Sequence, residues 1–228
     1  MEKQQIKSRQ RVAEHGEVFT AEREVKAMCD LVKCETERID SRFLEPACGD
    51  GNFLYEILSR KLTCEQMKKY RKSPYDWERN SVLAVGSLYG VDILADNCEA
   101  CRKRLYDLWD AEYRKVCKTE CNDDTRAAVR FILSRNIVCG NALSLLCVDE
   151  SGKDTTQPII FSEWTFPFND SRIQRKDYSF AELLANADRN ETNRRTGQQS
   201  LFAGEDGEEE PLFLAQYITN YRRLADHE

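Results

Sequence analysis

Apolar side chains at Val25, Met28, Cys29 and Val32 fall at the +3, +4, +7 spacing of one helix face. The spacing predicts a helix over 22–33, with Thr20 as its N-cap. The pattern then turns extended over 42–46 and is stopped by Pro46. A glycine-bearing turn at 47–51 leads into a predicted helix over 52–62, with Phe53, Leu54, Ile57 and Leu58 on one side. Residues 63–81 read as a charged insert broken at Pro74, and 87–93 as a second strand. A long helix is predicted over roughly 95–118, with Cys98, Cys101, Leu105, Leu108 and Val116 inward, and another over 125–135. Third and fourth strands are predicted at 136–139 and 158–161, separated by a polar loop at 149–157. Beyond 170 the alternation stops. Residues 179–189 read as a short helix, 190–210 as a polar acidic linker, and 211–226 as a final helix. Strands alternating with helices predict parallel βαβ units and an α/β sheet.

At 228 residues, 41% hydrophobic and 32% charged, the chain is long enough for one sizeable core. No apolar run reaches the ~20 residues of a membrane span. The polar first residues, 1–16, read as an arm or exposed helix with no export leader. The expected location is the cytoplasm, with the ten cysteines as reduced thiols, most of them small core residues. The net charge is -6, and Glu205, Asp206, Glu208, Glu209 and Glu210 supply most of it. The rest is near neutral, which excludes a basic protein that coats nucleic acid. Local basic groups remain at Arg60, Lys61, Lys68, Lys69, Arg71 and Lys72, and at Arg172, Arg175 and Lys176 followed by Arg189, Arg194 and Arg195. They fit phosphate contacts and solvated helix faces equally well.

Candidate chemistry concentrates at 45–53. A strand ending in Gly-x-Gly brings backbone close to whatever lies above the sheet edge, and the next helix points free N–H groups at the same place. The dinucleotide fingerprint is absent, because Leu54 stands where its third glycine belongs. Cys98-x-x-Cys101 and Cys117-x-x-x-Cys121 have a zinc-like spacing. One uninterrupted helix carries the first three, so no metal is expected. The only histidines, His15 and His227, lie at the chain ends and argue against Ser–His or Cys–His catalysis.

The run Glu45-Pro46-Ala47-Cys48-Gly49-Asp50-Gly51-Asn52-Phe53-Leu54 resembles motif I of S-adenosylmethionine-dependent N6-adenine DNA methyltransferases of restriction–modification systems. Three other stretches follow that family's order. His15–Thr20 resembles the segment before motif I that helps hold the methionine end, with Ala21 where proline usually follows. Gly90-Val91-Asp92-Ile93 resembles motif II, whose acid binds the ribose hydroxyls. Gly140-Asn141-Ala142-Leu143 resembles the next motif, with Asn141 in place of the usual Asp at the adenine amino group. The resemblance covers about 12–170 and implies a Rossmann-like, mostly parallel methyltransferase sheet, incomplete here, with a C-terminal helical extension. It implies S-adenosylmethionine as cofactor, held by Thr20, Glu45, Ala47, Cys48, Gly49, Asp50, Gly51, Asp92, Ile93, Asn141 and Ala142. Glu45 and Asp50 would face its ammonium and sulfonium charges. Each has a plainer reading too: Asp92 as a helix cap, Asn141 as a turn residue, Phe53 as core.

In the family, Asn/Asp/Ser-Pro-Pro-Tyr/Phe follows the fourth strand. The first side chain and a proline carbonyl accept the two hydrogens of the adenine amino group, and the aromatic ring stacks on the extruded base. Here the corresponding stretch is Ser162-Glu163-Trp164-Thr165-Phe166-Pro167-Phe168, without the proline pair. Ser162, Glu163 and Trp164 are the expected catalytic residues. The expected organisation is a cofactor-binding domain at 1–170, a linker with a short helix at 171–210, and a C-terminal helix at 211–228. That helix would offer Leu212, Phe213, Tyr217 and Ile218 to its own sheet or to an interface. The expected activity is methyl transfer to an exocyclic amine of DNA. The alternatives are a catalytically lapsed binding or regulatory subunit and, more weakly, a methyltransferase for protein or RNA amines. DNA is the expected partner, with a target-recognition protein or a second copy beside it and no membrane.

Overall fold

The computed structural model of the chain describes residues 8, 10, 11, 13, 18–185 and 213–226. The first apolar stretch forms α1 (Glu22–Leu31) and α2 (Lys33–Thr36). Only Val25 and Cys29 of the predicted face are buried, while Met28 and Val32 are exposed. Thr20 does not cap α1. Ala21 occupies that position without a side-chain bond, and the Thr20 carbonyl instead accepts the Asn52 amide, 3.1 Å away. β1 (Phe43–Glu45), the turn and α3 (Asn52–Thr63) follow the pattern.

The charged stretch expected as an insert is core-forming. It folds as α4 (Glu65–Tyr70), capped by the Cys64 thiol, and α5 (Pro74–Gly86). Pro74 starts α5 rather than breaking a helix, because a first-turn proline sacrifices no bonded N–H and Ser73 caps the turn. Trp77, Val82, Ala84 and Val85 lie fully buried along it. β2 (Leu88–Asp92), α6 (Ala95–Cys117), α7 (Asp123–Asn136) and β3 (Ile137–Asn141) complete the first half. β1, β2 and β3 pair in parallel, Glu45 beside Gly90 and Asp92 beside Cys139. Each crossover carries helices, as parallel strands require.

From residue 142 the topology changes. β4 (Leu146–Val148) and β5 (Asp154–Pro158) form a hairpin that adds antiparallel to β3, giving a five-stranded sheet in the order β1-β2-β3-β4-β5. The architecture is α/β, with the parallel strands on one side of the sheet. The expected fourth parallel strand does not form. β6 (Ile160–Thr165) is reached without a crossover helix, so it cannot return parallel, and it pairs only with β7 (Arg172–Ser179). β8 (Ala215–Asn220) completes this second, three-stranded antiparallel sheet.

Two further expectations are corrected here. The sheet β6-β7-β8 crosses both boundaries drawn at 170 and 210, so the expected linker holds a strand. Residues 180–185 are helical, and the rest of the expected linker lies outside the described residues. The expected C-terminal helix is a strand followed by a 3-10 turn, Tyr221–Asp226. Tyr217, Ile218 and Thr219 suit a pleated strand better than a helix, and pairing with β7 decides the matter. Among the described residues no helix is long and apolar enough to cross a membrane, and none of the ten cysteines is in a disulfide.

Two buried charges tie this arrangement together. Glu78 of α5 is 2% exposed. It accepts hydrogen bonds from Tyr113 of α6, Thr125 of α7, Asn122 before α7, and Tyr221 and Arg222 of the last turn. Lys61 of α3 is fully buried. Its ammonium donates to the carbonyls of Arg38, Ile39 and Ser41 and to Ser87 Oγ, joining the chain before β1 to the chain before β2. Burial pulls its pKa down to about 7.

That shift has a sign for stability. Between about 7 and the ordinary lysine value of 10.5, the unfolded chain holds a proton that the folded chain has lost. Unfolding free energy therefore gains from Lys61 as pH rises through this window, by at most ~1.4 kcal/mol per pH unit. Urea titrations of the parent and Lys61→Met between pH 6.5 and 9.5 test this. The parent-minus-variant difference climbs with pH; a flat difference contradicts the assignment.

Candidate functional site

The three parallel strands end on Glu45, Asp92 and Asn141. Glu45 pairs with Gly90 and Asp92 with Cys139, so the three side chains share one face of the sheet but step forward by two residues from strand to strand, and an open α/β sheet binds its ligands beyond such carboxyl ends. The loop after β1 bends through Gly49 (φ +52) and Gly51 (φ +86), backbone that other residues adopt only with strain. Space enforces glycine as well. A Cβ at Gly49 would lie 2.9 Å from the Phe19 ring, and one at Gly51 2.5 Å from Cys101 Sγ. The Cys48 N–H bonds the Val91 carbonyl at 2.8 Å, so the loop is stitched to β2.

Asp92 fixes the loop from the other side. Its Oδ2 accepts the Gly49 N–H at 2.9 Å. Its Oδ1 accepts the Leu94 N–H at 2.9 Å and the Asn97 amide at 3.2 Å. The carboxylate therefore orders the chain entering α6 and the glycine turn together, without capping the helix itself, and of its roughly four acceptor positions one remains. Glu45 is half-buried without an ion-pair partner among the described residues. Burial raises its pKa, and the Ala47 N–H opposes that. An unpaired, partly desolvated carboxylate favours an incoming cation.

Asp50 is less exposed to a ligand than the sequence implies. It is buried and pairs with Arg104 of α6 at 2.7 Å. Arg104 also donates to the Asp50 carbonyl and to Asn52 Oδ1. Cys48 is buried beneath the loop, and its thiol pKa is raised by hydrogen bonding with Cys101 and by burial. The Ile93 carbonyl accepts the Cys139 thiol. Asn141 makes a turn: its Oδ1 accepts the Leu143 N–H at 3.0 Å and its amide donates to Asp154 at 3.0 Å. Ala142 packs on the small core under β6. Leu145, at φ +63, closes the turn in a conformation rare for a bulky residue. On the opposite side Arg11 forms a two-point ion pair with Asp96 and reaches Asn97.

The expected catalytic trio lies elsewhere. The Ser162 N–H bonds Asn136, which immediately precedes β3. Trp164 packs on Gly86, close to the start of β2. Glu163 pairs with Arg42, which precedes β1. All three sit against the N-terminal ends of the parallel strands. At ~3.3 Å per residue, β2 alone puts roughly 13 Å between that end and Asp92. Ser162 is fully buried, donates to Asp177, and accepts from Arg175. Its role is to satisfy a buried ion pair rather than to border a base. The physical reason is the hairpin: without a crossover, β6 runs against the wrong end of the sheet.

Asn97, Arg104 and Arg11 were not legible as site residues. They sit on a long helix and a polar arm, and their partners are distant in sequence. Comparisons with family models, curated proteins and solved structures find nothing that matches this chain.

Gly51→Ala is expected to destabilise the fold by about 1–3 kcal/mol from positive φ alone, plus the clash with Cys101. Adding Cys101→Ala relieves the clash and not the backbone strain, so guanidinium midpoints should show partial recovery.

Proposed function

We propose that this chain is an S-adenosylmethionine-dependent methyltransferase of the N6-adenine DNA type, with the cofactor at the Glu45–Asp92–Asn141 edge. One observation carries the reading: the glycine turn, held by an Asp92–Gly49 hydrogen bond, lies beside a partly desolvated Glu45 that has no ion-pair partner among the described residues. The methyl donor is a cationic nucleoside. Glu45 suits its positive end, the remaining lone pair of Asp92 suits a ribose hydroxyl, and the glycine backbone permits close approach. The cofactor would supply an electrophilic methyl group for direct attack by an amine. Glu45, Gly49, Gly51 and Asp92 would hold it, with Asp50 acting through Arg104 to keep the loop in shape.

A second reading, a cofactor-binding or regulatory subunit without transfer activity, draws on a separate observation. Ser162 and Trp164 are built into the core, and Glu163 is engaged with Arg42. In that reading a partner supplies the residues around the target amine.

Calorimetric titration with S-adenosylmethionine, followed by tritiated methyl transfer to DNA, RNA and protein, separates the two. Binding with DNA labelled supports the first, and binding with nothing labelled supports the second. Absence of binding removes both. Glu45→Gln and Asp92→Ala should each weaken binding by about tenfold or more, the scale of a lost charged hydrogen bond.

Affinity should also fall as pH drops through the raised pKa of Glu45, because the bound cation needs the carboxylate. Glu45→Gln should flatten that acid limb. A parent affinity unchanged down to the ordinary glutamate range, or an acid limb retained in Glu45→Gln, rejects the role given to Glu45.

A further inference from the structure

Four thiols meet in a row beneath the edge that carries Asp92. Cys101 and Cys98, one turn apart on α6, both hydrogen-bond with Cys48 below the glycine turn, and Cys98 hydrogen-bonds with Cys139 of β3. The backbone fixes the same order independently. Cys98 Sγ lies 3.4 Å from the Val138 carbonyl and 3.6 Å from that of Asp92. Cys139 Sγ lies 3.6 Å from the Ile93 carbonyl, and Cys139 is the strand partner of Asp92. Cys98 and Cys139 therefore straddle the end of β2. Among the described residues no group of three or more His, Cys, Asp or Glu side chains could hold a metal ion.

The members of the row differ in access, and that sets an order of events. Cys48, Cys98 and Cys101 are buried, while Cys139 is partly exposed. A small oxidant therefore meets Cys139 first, with the Cys98 sulfur already in contact with it. Cys48 lies deeper, between Cys98 and Cys101, and does not touch the entry point except through Cys98.

We propose that Cys139 and Cys98 are a redox pair that closes to a disulfide under a peroxide. The Cys139 sulfur, as thiolate, attacks hydrogen peroxide. The O–O bond breaks, one oxygen stays on sulfur as a sulfenic acid, and the other leaves as hydroxide and takes up the thiol proton as water. The Cys98 sulfur then attacks the sulfenic sulfur. The S–S bond forms, the S–O bond breaks, and hydroxide leaves with the Cys98 proton as a second water. Together the two thiols lose two electrons, and one peroxide gains them. Burial and the neighbouring Cys98 push the Cys139 thiol up to about 11, so its thiolate fraction is small and the pair answers sustained oxidant. The disulfide ties the first turns of α6 to β3. Asn97, next to Cys98, bonds Asp92 from that same turn, so the bond forms at the candidate site itself. The chemistry does not depend on which ligand that site takes.

Hydrogen peroxide treatment of the folded full chain tests this, followed by alkylation of free thiols in guanidinium and peptide mapping without reductant. Cleavage after Glu99 separates Cys98 from Cys101, and cleavage between Leu143 and Leu146 separates Cys139 from Cys147. The exposed Cys34 reports the oxidant dose. The expected product is a Cys98–Cys139 cross-linked peptide, lighter than its parts by two hydrogens and reversed by dithiothreitol. Cys98→Ser should abolish the cross-link and carry Cys139 on to the sulfinic acid, because no thiol is left to displace its oxygen. Cys139→Ser should leave Cys98 reduced at the same dose. Should either variant misfold by circular dichroism, the mapping of the parent decides alone. A parent in which Cys34 is oxidised while Cys98 and Cys139 remain free to alkylate overturns the proposal. So does a cross-link that joins Cys98 to Cys48 instead, or a Cys139 that reaches the sulfinic acid with Cys98 intact beside it.

Discussion

Glu78 is the constraint on which the arrangement of the helices and the C-terminal segment depends. A carboxylate taken out of water is tolerated only when its lone pairs are filled and its charge is balanced. Here the donors come from α6, from both sides of the start of α7, and from Tyr221 and Arg222 far along the chain. Removing any one donor leaves the others around an undersatisfied charge, so the network behaves as a unit. The consequence reaches β8. Tyr221 and Leu224 are buried, and the strand immediately before them is thereby held in register on β7.

The same hub bears on the candidate site at one remove. α6 and α7 form the crossover from β2 to β3, and Glu78 fixes their spacing against α5. The spacing in turn sets where α6 begins, and the first turns of α6 carry Asn97, Cys101 and Arg104. These are the side chains that orient Asp92, crowd Gly51 and pin Asp50. A glycine turn alone is a flexible segment. With Asp92 on its N–H group, Arg104 on its carbonyl and Cys101 beneath it, the turn keeps one shape before any ligand arrives, which lowers the ordering cost of binding.

The glycine turn could be read from residues 45–53 because its determinants are local. Pro46 ends a strand, Gly49 and Gly51 mark positive φ, and the helical period resumes at once. Glu45, Asp92 and Asn141 are singled out only by the resemblance of their short stretches to family motifs, and the predicted third strand, 136–139, stops short of Asn141. The second sheet was not. The segment 211–226 places Leu212, Phe213, Tyr217 and Ile218 at a helix-like spacing, and whether it becomes a strand depends on β7, which the sequence shows only as a polar stretch. Ser162 was misplaced because strand direction is a topological property. The same few residues read as a catalytic loop after a parallel strand or as core after an antiparallel one. What decides is whether a helix lies between residues 142 and 159, and there a hairpin stands instead.

The two ends of the parallel strands therefore carry different chemistry. At the N-terminal end, Lys61, Ser87, Asn136 and Ser162 are buried and satisfied by protein groups, which stabilises the fold and leaves little for a ligand. At the C-terminal end, Glu45 has no ion-pair partner among the described residues and Asp92 keeps one acceptor position, while Asn97 bonds both Arg11 and the Asp92 carboxylate. Oδ1 of Asp92 is filled by Leu94 and Asn97, so the vacancy lies on Oδ2, beside Gly49. A ligand with two neighbouring hydroxyls can place one of them there. The second must displace an existing donor or bond elsewhere. The edge offers one half-buried carboxylate and one open acceptor position, a narrower provision than the presence of an acid at the end of β2 would suggest by itself.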